Sequence, residues 1–200
     1  MRRLVLATRN KGKIREMKAI LADLPLEILD LGAYPEAPEV AEEAADFAAN
    51  AREKALAVAS HTGEWSLADD SGLEVEALGG APGVFSARYA GVHGDDRANI
   101  AKLLAEMAAI PDGRRQARFV CWAALASPDG SCVLAEGECR GEILRHPRGT
   151  NGFGYDPVFF LPAYGLTMAE LPEEVKNRIS HRARALNRLR PELLARLGGR

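Results

Sequence analysis

The chain reads as an α/β protein, and three stretches near its start predict this. Leu4-Val5-Leu6-Ala7 is a short apolar run of the kind that forms a buried strand. Ile14, Met17, Ile20 and Leu21 follow at helical spacing, and "LEILDL" (26–31) is a second strand after Pro25 closes the helix. Strand, helix, strand in succession is a βαβ-like opening, the mark of a sheet covered by helices.

The later elements follow the same logic. "GAYPEAPEVAEE" (32–43) is acidic and proline-rich and reads as a loop. Asp46 is placed to cap a helix over 47–60, with Phe47, Ala51, Ala55 and Val58 on one side. "WSLADDSG" (65–72) reads as a short strand ending in two aspartates, and "LEVEALGG" (73–80) alternates briefly before its glycines. Pro82-Gly83 marks a turn, and 95–107 a third helix. A hairpin is the clearest feature: a strand beginning at Phe119, a Ser127-Pro128-Asp129-Gly130 turn, and a return at Cys132. "GTNGFGYDPVFF" (149–160) reads as a turn before a buried strand. A single helix is expected over 171–189, with Val175, Ile179, Ala183, Leu186 and Leu189 as its apolar face; Pro191 interrupts it. There is no repeat, linker or low-complexity segment, so the prediction is one domain, 1–200, with any two lobes made by an interwoven chain.

Composition narrows the function. The 200 residues are 47% hydrophobic and 27% charged, with a net charge of −2, so nothing draws the whole chain to nucleic acid or an anionic membrane. No run approaches the ~20 apolar residues of a membrane helix, and the N-terminal apolar run is too short for a signal peptide. Three cysteines without a CxxC pair argue against a disulfide framework or zinc site and for a reducing cytoplasm.

Five segments are candidates for chemistry. In "ATRNKGK" (7–13), Thr8 and Asn10 offer short polar side chains, Gly12 a permissive backbone, and Lys13 a charge where a helix begins. A phosphate cradle and an ordinary polar turn both fit; the P-loop spacing is absent. In "LADDSG" (67–72), Asp69 and Asp70 end an apolar strand. Neighbouring carboxylates repel, so a hard cation such as Mg²⁺ or a self-capped turn would each explain them. The acidic run Glu39, Glu42, Glu43 is a solvated loop unless Asp70 holds a metal in need of a second carboxylate. Lys176, Arg178, His181, Arg182 and Arg184 are able to read phosphate or a base edge, although most such charges line a solvated helix face. In 149–160, Phe153 offers a stacking surface and Asp156 an acceptor for ring N–H groups.

Taken together, "TRNKGK" (8–13), "LADDSGLEVEALGGAPGVFSARYAG" (67–91), "GFGYDPVFF" (152–160) and "SHRARAL" (180–186) strongly resemble the inosine triphosphate pyrophosphatase family, the non-canonical purine nucleoside triphosphate pyrophosphatases. The resemblance spans nearly the whole chain. It implies an elongated two-lobed α/β fold around a long mixed β-sheet, with a nucleotide cleft between the lobes. It also implies a cytoplasmic, Mg²⁺-dependent homodimer that converts dITP, ITP and XTP to the monophosphate and pyrophosphate. Carried over by residue, it assigns Thr8, Arg9, Asn10, Lys11, Gly12 and Lys13 to the phosphates and Asp70 to the metal and to activating water; Asp69, its neighbour, joins Asp70 and Lys13 as a catalytic candidate. Ser71, Phe153, Gly154, Tyr155, Asp156, Lys176, His181 and Arg182 fall to the remaining substrate contacts. Arg9 and Asn151 stand where the family commonly has glycine. The second metal carboxylate is Glu42 when counted back from Phe47, with Glu43 as the alternative.

The implied mechanism is water attack at the α-phosphorus, with Mg²⁺ on Glu42 and Asp70 neutralising phosphate oxygens and Lys13 stabilising the leaving pyrophosphate. Hypoxanthine and xanthine share an O6 acceptor and an N1–H donor that adenine lacks, so polar groups at the ring edge would exclude adenine. A Maf-like pyrophosphatase for other modified nucleotides and a non-catalytic nucleotide-binding module are the rival readings.

Overall fold

The computed structural model describes residues 2–41 and 44–198. In chain order its elements are β1 (Arg2–Leu6), α1 (Lys11–Ile20), β2 (Leu26–Asp30), α2 (Phe47–Thr62), β3 (Trp65–Val75), α3 (Asp96–Glu106), β4 (Gln116–Ala126), β5 (Cys132–Ile143), β6 (Phe159–Leu161), β7 (Leu166–Thr167), α4 (Glu173–Ile179) and α5 (His181–Leu197). The strands form one mixed seven-stranded sheet in the order β2-β1-β3-β4-β5-β6-β7. β1 runs parallel to β2 and β3, whereas β6 is antiparallel to β5 and β7. The α/β prediction and the mixed sheet both stand.

The chain divides into two compact units. Unit 1 is Met1–Asp70, Cys121–Gly137 and His181–Arg200; unit 2 is Ser71–Val120 and Glu138–Ser180. β3, β4 and β5 each pass from one unit to the other.

In unit 1 strand alternation builds a core on each face. Leu4, Leu6, Leu67, Cys121, Ala123 and Leu125 point to the face covered by Met17 and Leu21 and by Leu186, Leu189, Leu193 and Leu197. Val5, Ala7, Ala68, Ala124 and Ala126 point the other way, onto Ala51, Ala55, Val58 and Ala59 of α2. Small alanines on both sides allow that helix to lie close. Asp46 caps it, accepting from the Ala49 amide at 2.8 Å. In unit 2 the odd-numbered strand residues Leu73, Val75, Ala117, Phe119, Cys139 and Ile143 enter a core with Tyr155, Val158 and Phe159. The even-numbered Glu74, Arg118 and Glu138 form an ion-paired row on the other face.

Several boundaries differ from those predicted. β3 does not end at the aspartates but continues to Val75, because Leu73 and Val75 keep the alternation and are fully buried. β4 begins at Gln116 rather than Phe119, since Ala117 already faces the core. The "PVFF" strand is shorter than expected: a single 3-10 turn covers Asp156–Val158, and β6 starts at Phe159. The helix expected over 171–189 is two helices. Ser180 is extended (φ −65°, ψ 159°) between them, so Val175 and Ile179 pack in unit 2 while Ala183, Leu186 and Leu189 pack in unit 1. Pro191 does not interrupt α5, which runs on to Leu197. An interior proline costs a helix about 3 kcal/mol, and burying Leu193 and Leu197 at about 1.5–3 kcal/mol each offsets it.

Candidate functional site

The polar groups gather in two clusters, one in each unit. The first begins at the β1–α1 turn. Thr8 Oγ1 accepts from the Asn10 amide at 3.2 Å, and Asn10 Oδ1 caps α1 by accepting from the Lys13 amide at 3.1 Å. Both side chains thus shape the turn. Arg9 reaches the Ala37 carbonyl at 3.2 Å, tying the turn to the acidic loop; Lys11 is exposed and Gly12 half-buried. With its amide held by the cap, Lys13 sends its ammonium to Asp69, 3.2 Å from Oδ1.

The adjacent aspartates do not share a pocket. As successive residues of β3 they point to opposite faces of the sheet, so the repulsion expected between them is not what organises the site. Asp69 follows Leu67 to the α1–α5 face and is fully buried. Arg182 donates to its Oδ2 from Nε (3.1 Å) and Nη2 (2.9 Å), while the same guanidinium's Nη1 donates to Glu16 of α1. Burial by itself raises the Asp69 carboxyl's pKa, but Lys13, Arg182 and Lys54 outweigh it and hold the group well below the usual carboxylate range. Arg182 balances the same way: burial lowers its pKa, Asp69 and Glu16 raise it, and the net shift is upward. Cys121 lies 3.8 Å from Asp69, and burial keeps its thiol protonated. The cysteines are free, two of them buried, as packing residues would be.

Asp70 follows Ala68 to the α2 face and is 5% exposed. Asn50 donates to its Oδ2 at 3.0 Å, and the Lys54 ammonium lies 3.3 Å from Oδ1 and 2.8 Å from the Asp69 carbonyl. Asn50 also bonds Ala44 through both backbone groups, so the end of the acidic loop is fixed to the residue that holds Asp70. Glu42 and Glu43 themselves lie outside the described residues. Among the described residues no three His, Cys, Asp or Glu side chains gather as a metal cage.

The second cluster lies in unit 2. Asp156, 2% exposed, accepts at Oδ2 from the Phe153 amide (2.9 Å) and from the Lys176 ammonium. The same ammonium stands 4.9 Å from the centre of the Phe153 ring. Gly152 is required here: its φ is +74°, and a Cβ would come within 2.0 Å of Asp156 Oδ2. Tyr155 is buried, its hydroxyl donating to the Ser86 carbonyl at 2.8 Å, and Gly154 N–H donates to Asp96 at 2.8 Å. Asn151 is spent on the backbone of Ala169 and Leu171. Ser71, at the first position of unit 2, is half-buried.

The solvated-face expectation for the basic segment divides. Arg178 and Arg184 are exposed, but Lys176, His181 and Arg182 are buried at 5%, 5% and 1%. The break at Ser180 explains His181 and Arg182, because it turns the second half of the segment onto a different core; Lys176, before the break, is drawn in by Asp156. Glu16, Asn50, Lys54 and Asp96 were not anticipated. Each sits on a helix, where sequence gives no sign of the partner its head group finds: Arg182 for Glu16, Asp70 for Asn50 and Lys54, and the Gly154 amide for the exposed Asp96.

These features define a mixed α/β protein with buried ion clusters on a strand interior and beside a glycine-bounded aromatic strip. Residues 4–192 match the model of the Ham1 family, and the chain belongs to that family. It is 54% identical to a dITP/XTP pyrophosphatase of Geobacter sulfurreducens over 96% of this chain and 97% of the relative. It is 52% identical to one of Desulforamulus reducens over 98% and 96%. The solved structure of a HAM1 protein from Coxiella burnetii superposes with a TM-score of 0.87 at 42% identity, covering 98% of this chain and all of the other.

Proposed function

We propose that this protein hydrolyses non-canonical purine nucleoside triphosphates, dITP, ITP and XTP, to the monophosphate and pyrophosphate. The observation that carries this reading is Lys13: a lysine at the start of α1 whose ammonium is held by a fully buried carboxylate, in a chain of the Ham1 family.

The unit 1 cluster suits the triphosphate. Lys13 and Lys54 bring two ammonium groups to one atom, the Asp69 carbonyl oxygen, where they would stabilise charge building on phosphate oxygens and the leaving pyrophosphate. Asp69, committed to Arg182 and Lys13, serves as the group that positions Lys13. Asp70 is then the carboxylate for the metal and for orienting water. Asp70 supplies one carboxylate, held by Asn50 and Lys54, and Mg²⁺ binds through one or two carboxylates plus substrate phosphates and keeps several waters. When bound, the ion would neutralise phosphate oxygens during attack at the α-phosphorus. Glu42 is the proposed second ligand.

The unit 2 cluster suits the base. Phe153 is the stacking surface and Lys176 the donor to O6. Asp156, buried and already holding both, acts on the base edge through Lys176 rather than by direct contact. Adenine offers an amino group to that ammonium instead of an acceptor and would be rejected. His181 and Arg182 belong to unit 1, where Arg182, held by Asp69 and Glu16, supports the phosphate cluster from within rather than touching the base. We also propose a cytoplasmic homodimer, to be checked by light scattering; among the described residues no helix is long and apolar enough to cross a membrane.

Pyrophosphate release across ITP, XTP, dUTP, GTP and ATP tests the reading. Turnover should favour ITP and XTP and should fall to near background in Asp70→Asn at saturating Mg²⁺. Preference for dUTP would point to a Maf-like activity, and tight ITP binding without turnover to a non-catalytic module.

A further inference from the structure

The strip 152–156 is fastened at several points, and one fastener comes from a helix with no other part in the site. α3 opens with two aspartates that divide the work. Asp95 Oδ1 accepts from the Ala98 amide at 2.9 Å and caps the helix, which leaves the next carboxylate unneeded for that purpose. Asp96, exposed in the first turn, accepts instead from the Gly154 amide at 2.8 Å. That amide belongs to the peptide joining Phe153 to Gly154, so the bond fixes the plane from which the Phe153 ring projects. α3 is itself tied down: Asn99 accepts from the Ala90 amide at 2.7 Å and donates to the Ala87 carbonyl at 3.2 Å. The same 83–91 segment supplies the Ser86 carbonyl that takes the Tyr155 hydroxyl. Helix and loop thus hold the strip from two sides, at Gly154 and at Tyr155.

We propose that Asp96 is a positioning residue for base recognition, setting the Phe153 ring through the Gly154 amide. The inference rests on the reading of 153–156 as the base-binding strip. A glycine-flanked loop would otherwise sample several backbone conformations, and each nucleotide binding event would have to order it. Asp96 removes that cost in advance.

The test is steady-state pyrophosphate release from ITP by Asp96→Ala, Asp96→Asn and Phe153→Ala, with inorganic tripolyphosphate as a competitor lacking a base. Losing one such bond should raise KM for ITP about five- to tenfold, with kcat within about twofold. The inhibition constant of tripolyphosphate should not move. Asn keeps an acceptor at the same reach and should restore most of the loss. Asp96→Ser, too short to reach Gly154 but well suited to a first helical turn, should behave as Ala does. An unmoved KM in Asp96→Ala beside a raised KM in Phe153→Ala would overturn the anchor alone. An unmoved KM in both variants would overturn the base-strip reading with it. A parallel rise in KM and in the tripolyphosphate constant, with a lowered Tm, would make Asp96 a merely structural residue and also overturn the proposal.

Discussion

Replacing Asp69 with asparagine keeps the volume of the side chain and removes its charge. In the native protein that charge faces Arg182 at 2.9 and 3.1 Å and Lys13 at 3.2 Å, with no exposure to water. Removing one partner of a buried ion pair costs about 3–5 kcal/mol, chiefly because the other charge stays buried without compensation. For a domain of this size each kcal/mol lowers Tm by roughly 2–4 °C, so the midpoint should fall by about 6–20 °C. Differential scanning calorimetry reads this directly. Turnover should fall as well, because Lys13 loses the carboxylate that holds it. The pH dependence supplies a second reading. A carboxyl held below its usual pKa contributes stability that is complete above the unfolded value of about 3.9 and is lost as pH falls from there towards the folded value. The Tm gap between wild type and Asp69→Asn should therefore be constant from pH 7 to about 5 and narrow below about 4. Arg182→Met should also cost less in the Asp69→Asn background than alone, since the two residues share one interaction. A Tm within about 2 °C of wild type would refute the reasoning and leave Asp69 as a bystander.

Two further predictions concern the frame of the site. In Gly137→Ala the new Cβ would meet the His181 carbonyl oxygen at 2.2 Å and the Ala185 nitrogen at 2.4 Å; both are helix backbone atoms with no rotamer to escape into. The variant should lose at least about 1–3 kcal/mol in urea unfolding, and a wild-type midpoint would show that α5 can move off β5 without cost. Asp46→Ala removes the cap of α2 and should cost about 1 kcal/mol, with Asp46→Asn near wild type. Equal Tm values for the Ala and Asn variants would mean that Ala49 finds another acceptor.

The strands and most helices were legible because their apolar residues obey a single period. Leu4 to Ala7, the 47–60 helix and the 119–134 hairpin all follow from that pattern. The run from Lys176 to Arg184 was not, because a charge pattern carries no statement of which neighbours it meets. One extended serine reorients half the segment, and three of its five basic side chains, Lys176, His181 and Arg182, are buried. Glu16 and Lys54 were invisible for a related reason: they are ordinary charged residues at helix positions, and only the Arg182 guanidinium shared with Asp69 and the turn of Asp70 to the α2 face give them partners. Asp156 shows a subtler gap. Its presence beside Phe153 was evident in the sequence, but its commitment to Lys176, 20 residues on, was not.

The division of the chain has a consequence for how the protein is made. Unit 2 has all its residues once Ser180 has left the ribosome. Unit 1 contains the first strand and yet lacks Leu186, Leu189, Leu193 and Leu197 until the last turns of α5 emerge. Until then Leu4, Leu6, Met17 and Leu67, synthesised first, have no α5 to cover them. Birth order and completion order are therefore reversed: α5, translated after every residue of unit 2, seals the core that β1 begins. A nascent chain stalled or truncated before α5 would carry an open apolar sheet face, the surface that chaperones bind and aggregates grow from.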